Sequence, residues 1–171
     1  KSAVSYKNPV VDIAMPDPTV IKATDGYFYV YATESTRNVP IMKSKDLVEW
    51  TYCNTAFTNK TRPRFEPKAG IWAPDINYIN GKYVLYYAMS VWGGEQTCGI
   101  GVATANSPQG PFTDHGKMFR SNEIGVQNSI DPSLLQYEGR NYLVWGSFRG
   151  IYVIELTADG LSIMPGAKKK R

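Results

Sequence analysis

One pattern occurs three times in this chain and limits the folds open to it. The copies are Asp17–Thr33 (DPTVIKATDGYFYVYAT), Asp75–Met89 (DINYINGKYVLYYAM) and Asp131–Ser147 (DPSLLQYEGRNYLVWGS). Each opens with an aspartate, runs through a short apolar segment, turns at a glycine and enters an aromatic segment. The aspartates stand at 17, 75 and 131, so the periods are 58 and 56 residues. A repeat of this length holding several short strands is the signature of β-propeller blades. The expected fold is therefore all-β, a single propeller domain over 1–171, with blade one at about 17–52, blade two at about 72–115 and blade three at about 128–165.

The segments between the aspartates fill out the blades. Asp25-Gly26 and Asn80-Gly81 are hairpin turns. In Tyr27–Thr33 the tyrosines alternate with Phe28, Val30 and Ala32, so both faces of that strand are apolar or aromatic. Such a strand is sandwiched between neighbouring blades. Third strands are expected at Val39–Lys43, Gly99–Thr104 and Gly150–Leu156, with a weak fourth strand near Leu161–Met164. Val10–Ala14 reads as a short lead-in strand, and residues 53–71 as a long functional connection carrying the basic pair Arg62 and Arg64. No helix longer than about a turn shows a convincing period.

Composition removes several function classes. No apolar run is long enough to span a membrane. The net charge of +4 suggests a nucleic-acid partner, but four of the 19 basic residues form Lys168–Arg171, and the rest balance the 15 acidic ones. That terminal run reads as a solvated end or a protease-sensitive loop rather than a binding patch. Cys53 and Cys98 allow one disulfide at most and are read as reduced thiols. His115, the only histidine, reads as a loop residue after the fourth strand of blade two, and a lone histidine does not make a metal site.

Equivalent positions in a propeller lie on a ring around its axis. The repeat alone thus places Asp17, Asp75 and Asp131 at one mouth of the central channel, at the start of each innermost strand. Clustered carboxylates raise one another's pKa and supply the separated protonation states that acid–base chemistry needs. The alternative is that a repeat-start aspartate caps a turn or pairs with a backbone amide, and Asp75, which follows Ala73-Pro74, suits that role best. Pro16 and Pro18 restrict the backbone around Asp17 and are expected to hold it extended. Trp72 and Trp92 are candidates for stacking on a sugar ring, while Trp50 and Trp145 are expected in the core.

The motifs together resemble the N-terminal part of a glycoside hydrolase family 43 enzyme, a five-bladed β-propeller. They are Pro16-Asp17-Pro18, Trp72–Asp75 (WAPD), Asn128–Pro132 (NSIDP), Ser44–Trp50 (SKDLVEW) and Ser107–Phe112 (SPQGPF). Asn128–Asp131 with Gly146–Ile151 is most similar to the endo-arabinanases that act on α-1,5-linked arabinan; arabinofuranosidases and β-xylosidases of the family are the alternatives. The resemblance implies an inverting mechanism, with Asp17 as the general base and Asp131 as the carboxylate that tunes and orients the acid. It implies substrate contacts from Trp72, Asp75, Trp92, Asn128, Ser147 and Phe148.

The family's general acid is a glutamate at the start of the fourth blade, and Glu123, Glu138 and Glu155 stand elsewhere in the repeat. The chain on its own is therefore expected to lack turnover, and to meet a complementing C-terminal polypeptide or associate with itself through the open face of blade three. No cofactor is required. The resemblance allows a structural cation in the channel, with ligands largely outside this chain. Periplasmic or extracellular action follows from a polymeric substrate. A carbohydrate-binding propeller without catalysis is the rival reading from another class, ahead of a protein-interaction propeller.

Overall fold

The computed structural model describes residues 5–171. Its strands fall into three antiparallel sheets in chain order. Blade one holds β1 (Thr19–Lys22), β2 (Phe28–Tyr31), β3 (Pro40–Ser44) and β4 (Trp50–Thr55). Blade two holds β5 (Gly70–Ile79), β6 (Lys82–Ser90), β7 (Gly99–Ala105) and β8 (Thr113–Arg120). A single helical turn, α1 (Ser121–Ile124), leads to blade three with β9 (Ser133–Tyr137), β10 (Arg140–Ser147) and β11 (Gly150–Leu156). No helix among the described residues is long and apolar enough to cross a membrane.

Period-2 alternation explains how the blades stack. In β6 the side chains of Tyr83, Leu85, Tyr87 and Met89 enter one core, shared with Tyr29, Tyr31 and Ile41 of blade one. Val84 and Tyr86 enter the other, shared with Leu143, Trp145 and Ile154 of blade three. A strand with an apolar and aromatic interior such as Tyr83–Met89 (YVLYYAM) is therefore buried on both faces, with Leu85, Tyr86 and Tyr87 at 0% exposure. The Asn80-Gly81 turn works because both residues take positive φ, 49° and 80°, the geometry of a two-residue hairpin.

Several expectations are corrected. Val10–Ala14 forms no strand; it lies against blade one beside Val20, Val30, Leu47 and Trp50 in an apolar surface groove. Trp50 is consequently half-buried, whereas Trp145 is 1% exposed. Blade two runs on to Arg120, so His115 sits inside β8, where its Nε2 lies 2.7 Å from Thr104 Oγ1. Blade three has three strands; beyond them only Ile163 and Lys170 bridge to β11. The basic C-terminal run is exposed, as expected of a solvated end, but its backbone is tied down. Lys170 and Val153 exchange two backbone hydrogen bonds of 2.9 Å, because the outer edge of β11 offers unpaired groups that the tail can take. Cys53 and Cys98 are free thiols on separate blades.

Candidate functional site

Two of the three repeat aspartates share an uncommon backbone. Asp17 has φ 49° and Asp131 has φ 56°. This corrects the extended conformation expected for Asp17. A flanking proline fixes its own φ, and here two hydrogen bonds hold the aspartate in a left-handed turn: Thr33 N donates to Pro16 O (3.0 Å) and Thr33 Oγ1 to Asp17 Oδ2 (2.7 Å). Thr33 Oγ1 in turn accepts the Ala73 amide at 2.7 Å, and Ala73 itself has φ 39°. One hydroxyl thus links the entry of blade two to the carboxylate of blade one.

Asp131 is set up differently. Ser129, fully buried, anchors the segment before it. Its amide donates to Ser121 Oγ (2.8 Å), its hydroxyl donates to Val126 O (2.8 Å) and accepts from Trp145 Nε1 (3.0 Å), while Gly146 N donates to Ile130 O (2.9 Å). On either side of this anchor Asn128 and Asp131 both take positive φ of 56°. Asp131 is open to solvent, yet its carboxyl is pushed above the usual aspartate range, first by desolvation from the surrounding protein and then by the charge of Asp17.

Asp75 behaves otherwise. It lies within β5 beside a register shift, not at the strand's start. Its Oδ2 accepts the Leu134 amide of blade three at 2.8 Å and Asn77 Nδ2 at 2.7 Å, and burial raises its pKa. A matching tie crosses the first junction, where Ile76 N donates to Thr19 Oγ1 at 3.2 Å. Asp75 is thus engaged in holding blades two and three together.

Five of the six residues expected to contact substrate meet in one place. Trp72, Trp92, Asn128, Ser147 and Phe148 line a cleft of about 290 Å³ with Glu95 and Ile130; Asp75 does not. Trp92 is 93% exposed and Phe148 is 72% exposed, and the Trp72 and Trp92 rings lie 5.3 Å apart at 50°. Two unequal indole faces at such an angle form a platform for an apolar sugar face, with amide and hydroxyl groups beside it. The indole of Trp72 folds back over Gly70, where a Cβ would come within 2.6 Å of its Nε1.

Sequence reasoning missed Glu95. Its Oε2 accepts from Gln127 Nε2 (2.5 Å) and from Arg149 Nε and Nη2 (3.2 and 3.1 Å), and its carbonyl accepts the Asn128 amide (2.7 Å). It braces the cleft from the loop after β6, and only its place in that glycine-containing loop hinted at a role. Glu123, Glu138 and Glu155 line no part of the cleft: Glu123 caps α1 and pairs with Lys117, Glu138 sits in the β9–β10 turn, and Glu155 faces Arg140. No group of three or more His, Cys, Asp and Glu side chains converges among the described residues.

The comparisons agree with one another. An extracellular endo-α-(1→5)-L-arabinanase of Bacillus subtilis is 38% identical over 140 residues, covering 77% of this chain and 43% of its own length. An arabinan endo-1,5-α-L-arabinosidase of Aspergillus niger is 32% identical over 137 residues, covering 77% and 41%. The chain thus spans less than half the length of these curated relatives. Among solved structures, an α-L-arabinanase of Cellvibrio cellulosa complexed with arabinohexaose superposes with a TM-score of 0.80 at 27% identity, over 93% of this chain and 53% of that one. The native arabinanase of Bacillus subtilis gives 0.76 at 32%, over 91% and 56%. The three sheets are accordingly three blades of a five-bladed propeller. The model of glycosyl hydrolases family 43 matches residues 6–171, and the chain belongs to that family.

Proposed function

We propose that this chain carries the base side of an inverting glycosidase site that cleaves arabinan in the manner of an endo-1,5-α-L-arabinanase. The single observation that carries the reading is the shared left-handed turn of Asp17 and Asp131, each set beside a wall of the tryptophan cleft: Asp17 through Thr33 to Ala73, the residue after Trp72, and Asp131 as the residue after Ile130. In this reading Asp17 accepts a proton from the attacking water, and Thr33 fixes the direction its carboxylate faces. Asp131 holds the leaving-group acid in its protonated form through its own negative charge. The resemblance assigns that acid to a glutamate of the fourth blade. Asn128 and Ser147 hydrogen-bond the sugar, and the indoles stack on it. The polymer is met outside the cytoplasm. Further blades or a partner chain pack on the face of blade three that exposes Leu135, Tyr137 and Ile151.

The test is Asp17→Asn in the full-length protein, assayed on linear arabinan while indole fluorescence follows arabino-oligosaccharide binding. Loss of at least about a thousandfold in hydrolysis with binding retained is expected, because inversion has no substitute for the base. Unchanged hydrolysis would sink the catalytic assignment. Binding without hydrolysis in the unaltered protein would identify a carbohydrate-binding propeller instead.

A further inference from the structure

A second cleft, of about 410 Å³, is lined by Arg37, Arg62, Arg64 and Lys68 together with Glu66 and Met89. Its charges do not cancel. Arg62 pairs with Glu34, and Glu66 pairs with Arg120. Arg37, Arg64 and Lys68 form no ion pair among the described residues, and all three are exposed. The two free guanidinium groups are nevertheless ordered. Arg37 Nε donates to Asn59 Oδ1 at 2.9 Å and Arg64 Nη2 donates to the Asn59 carbonyl, while Asn38 Nδ2 also holds Asn59 Oδ1 at 3.0 Å. Asn59 thus fixes both arginines through single bonds and leaves their remaining N–H groups free. A pre-ordered guanidinium with open donors matches the planar, two-oxygen geometry of a carboxylate.

The position of this cleft narrows its ligand. Ala69 and Met89 line it, whereas Trp72 and Ser90 line the tryptophan cleft. The two therefore open at the same end of the β5–β6 pair but from opposite faces of it, and the Trp72 indole folds back over Gly70 at that end. A ligand that occupies both must cross that end of the strand pair.

We propose that the arginine cleft binds the carboxylates of an acidic saccharide, a chain bearing uronic acid residues, continuous with the neutral sugar held at Trp72 and Trp92. The proposal rests on the sugar-binding part of the reading above and not on its catalytic part.

The experiment titrates the full chain by calorimetry with an α-1,4-linked galacturonate trisaccharide, its carboxyl-reduced neutral form, arabinotriose and inorganic phosphate. The galacturonate is expected to bind, and to bind more weakly as salt rises. The triple variant R37Q/R64Q/K68Q, confined to exposed side chains, should weaken it by about tenfold or more while arabinotriose binding stays within about twofold. Absence of galacturonate binding, equal binding of the reduced form or of phosphate, or an unaffected triple variant would each overturn the proposal. If arabinotriose fails to bind while galacturonate binding still depends on the three cations, the sugar-cleft reading fails and the acidic-ligand site stands.

Discussion

Thr33 shows how much a single hydroxyl can decide. Its oxygen accepts the Ala73 amide, so its one proton is left to face Asp17 Oδ2. Thr33→Val keeps the shape and removes both bonds. In the full-length protein kcat is expected to fall about tenfold to a hundredfold with KM nearly unchanged, and Thr33→Ser should restore it. Equal activity of the valine variant would remove Thr33 from the site. Asp131 poses an opposite case, a group that costs stability at the place where the proposed reading gives it a role. Its carboxyl is easier to protonate in the fold than in the open chain, because protein atoms desolvate it and Asp17 repels it. Below the ordinary aspartate pKa nothing is lost; as pH rises through the raised folded value, the ionised form opposes folding. Asp131→Asn should therefore raise the melting temperature at neutral pH, with the gain vanishing in acid, while hydrolysis is lost. Thermal denaturation at the two pH values checks the sign.

At the scale of elements, the connection after β4 is held by one buried ion pair. Arg62 donates Nη2 to Glu34 Oε1 (2.7 Å) and Nη1 to Glu34 Oε2 (2.8 Å), and the Ile71 and Asn38 amides also donate to that carboxylate. Burial alone raises the glutamate's pKa, but these donors and the arginine's charge outweigh it and the net direction is down. Arg62→Met leaves the carboxylate buried without its cation. A loss of about 3–5 kcal/mol is expected at neutral pH by chemical denaturation. The deficit should shrink as pH falls, since protonating Glu34 removes the uncompensated charge. The connection was readable in the sequence as a long loop with two arginines, but its acidic partner stands 28 positions earlier, after β2. Nothing local marks Glu34, and the pairing exists only once two blades are in place. Hairpins with local turn chemistry, such as Asn80-Gly81, were by contrast fully legible.

For the whole molecule, the repeat predicted the blades because each must bury two faces and therefore reuses one pattern. It failed where a segment has no neighbouring strand. Val10–Ala14 has strand-like residues but only a side-chain groove to lie in, and Trp50 is half-open for the same reason. Of the three aligned aspartates, Asp75 is the one the sequence suited best to pairing with a backbone amide, and it accepts the Leu134 amide at the second junction, while Asp17 and Asp131 share the left-handed turn. The cleft residues were legible through the resemblance of their motifs, whereas Glu95 and the arginine cleft arise from loops that the repeat does not cover.

One consequence concerns tolerance. The two left-handed aspartate turns belong to blades one and three, and blade two packs Leu85 and Tyr87 against the first and Val84 and Tyr86 against the second. Blade two therefore acts as a gauge block. Its thickness sets how far apart the two aspartate turns stand, so that spacing is specified by side chains buried in two cores and not by the aspartates themselves.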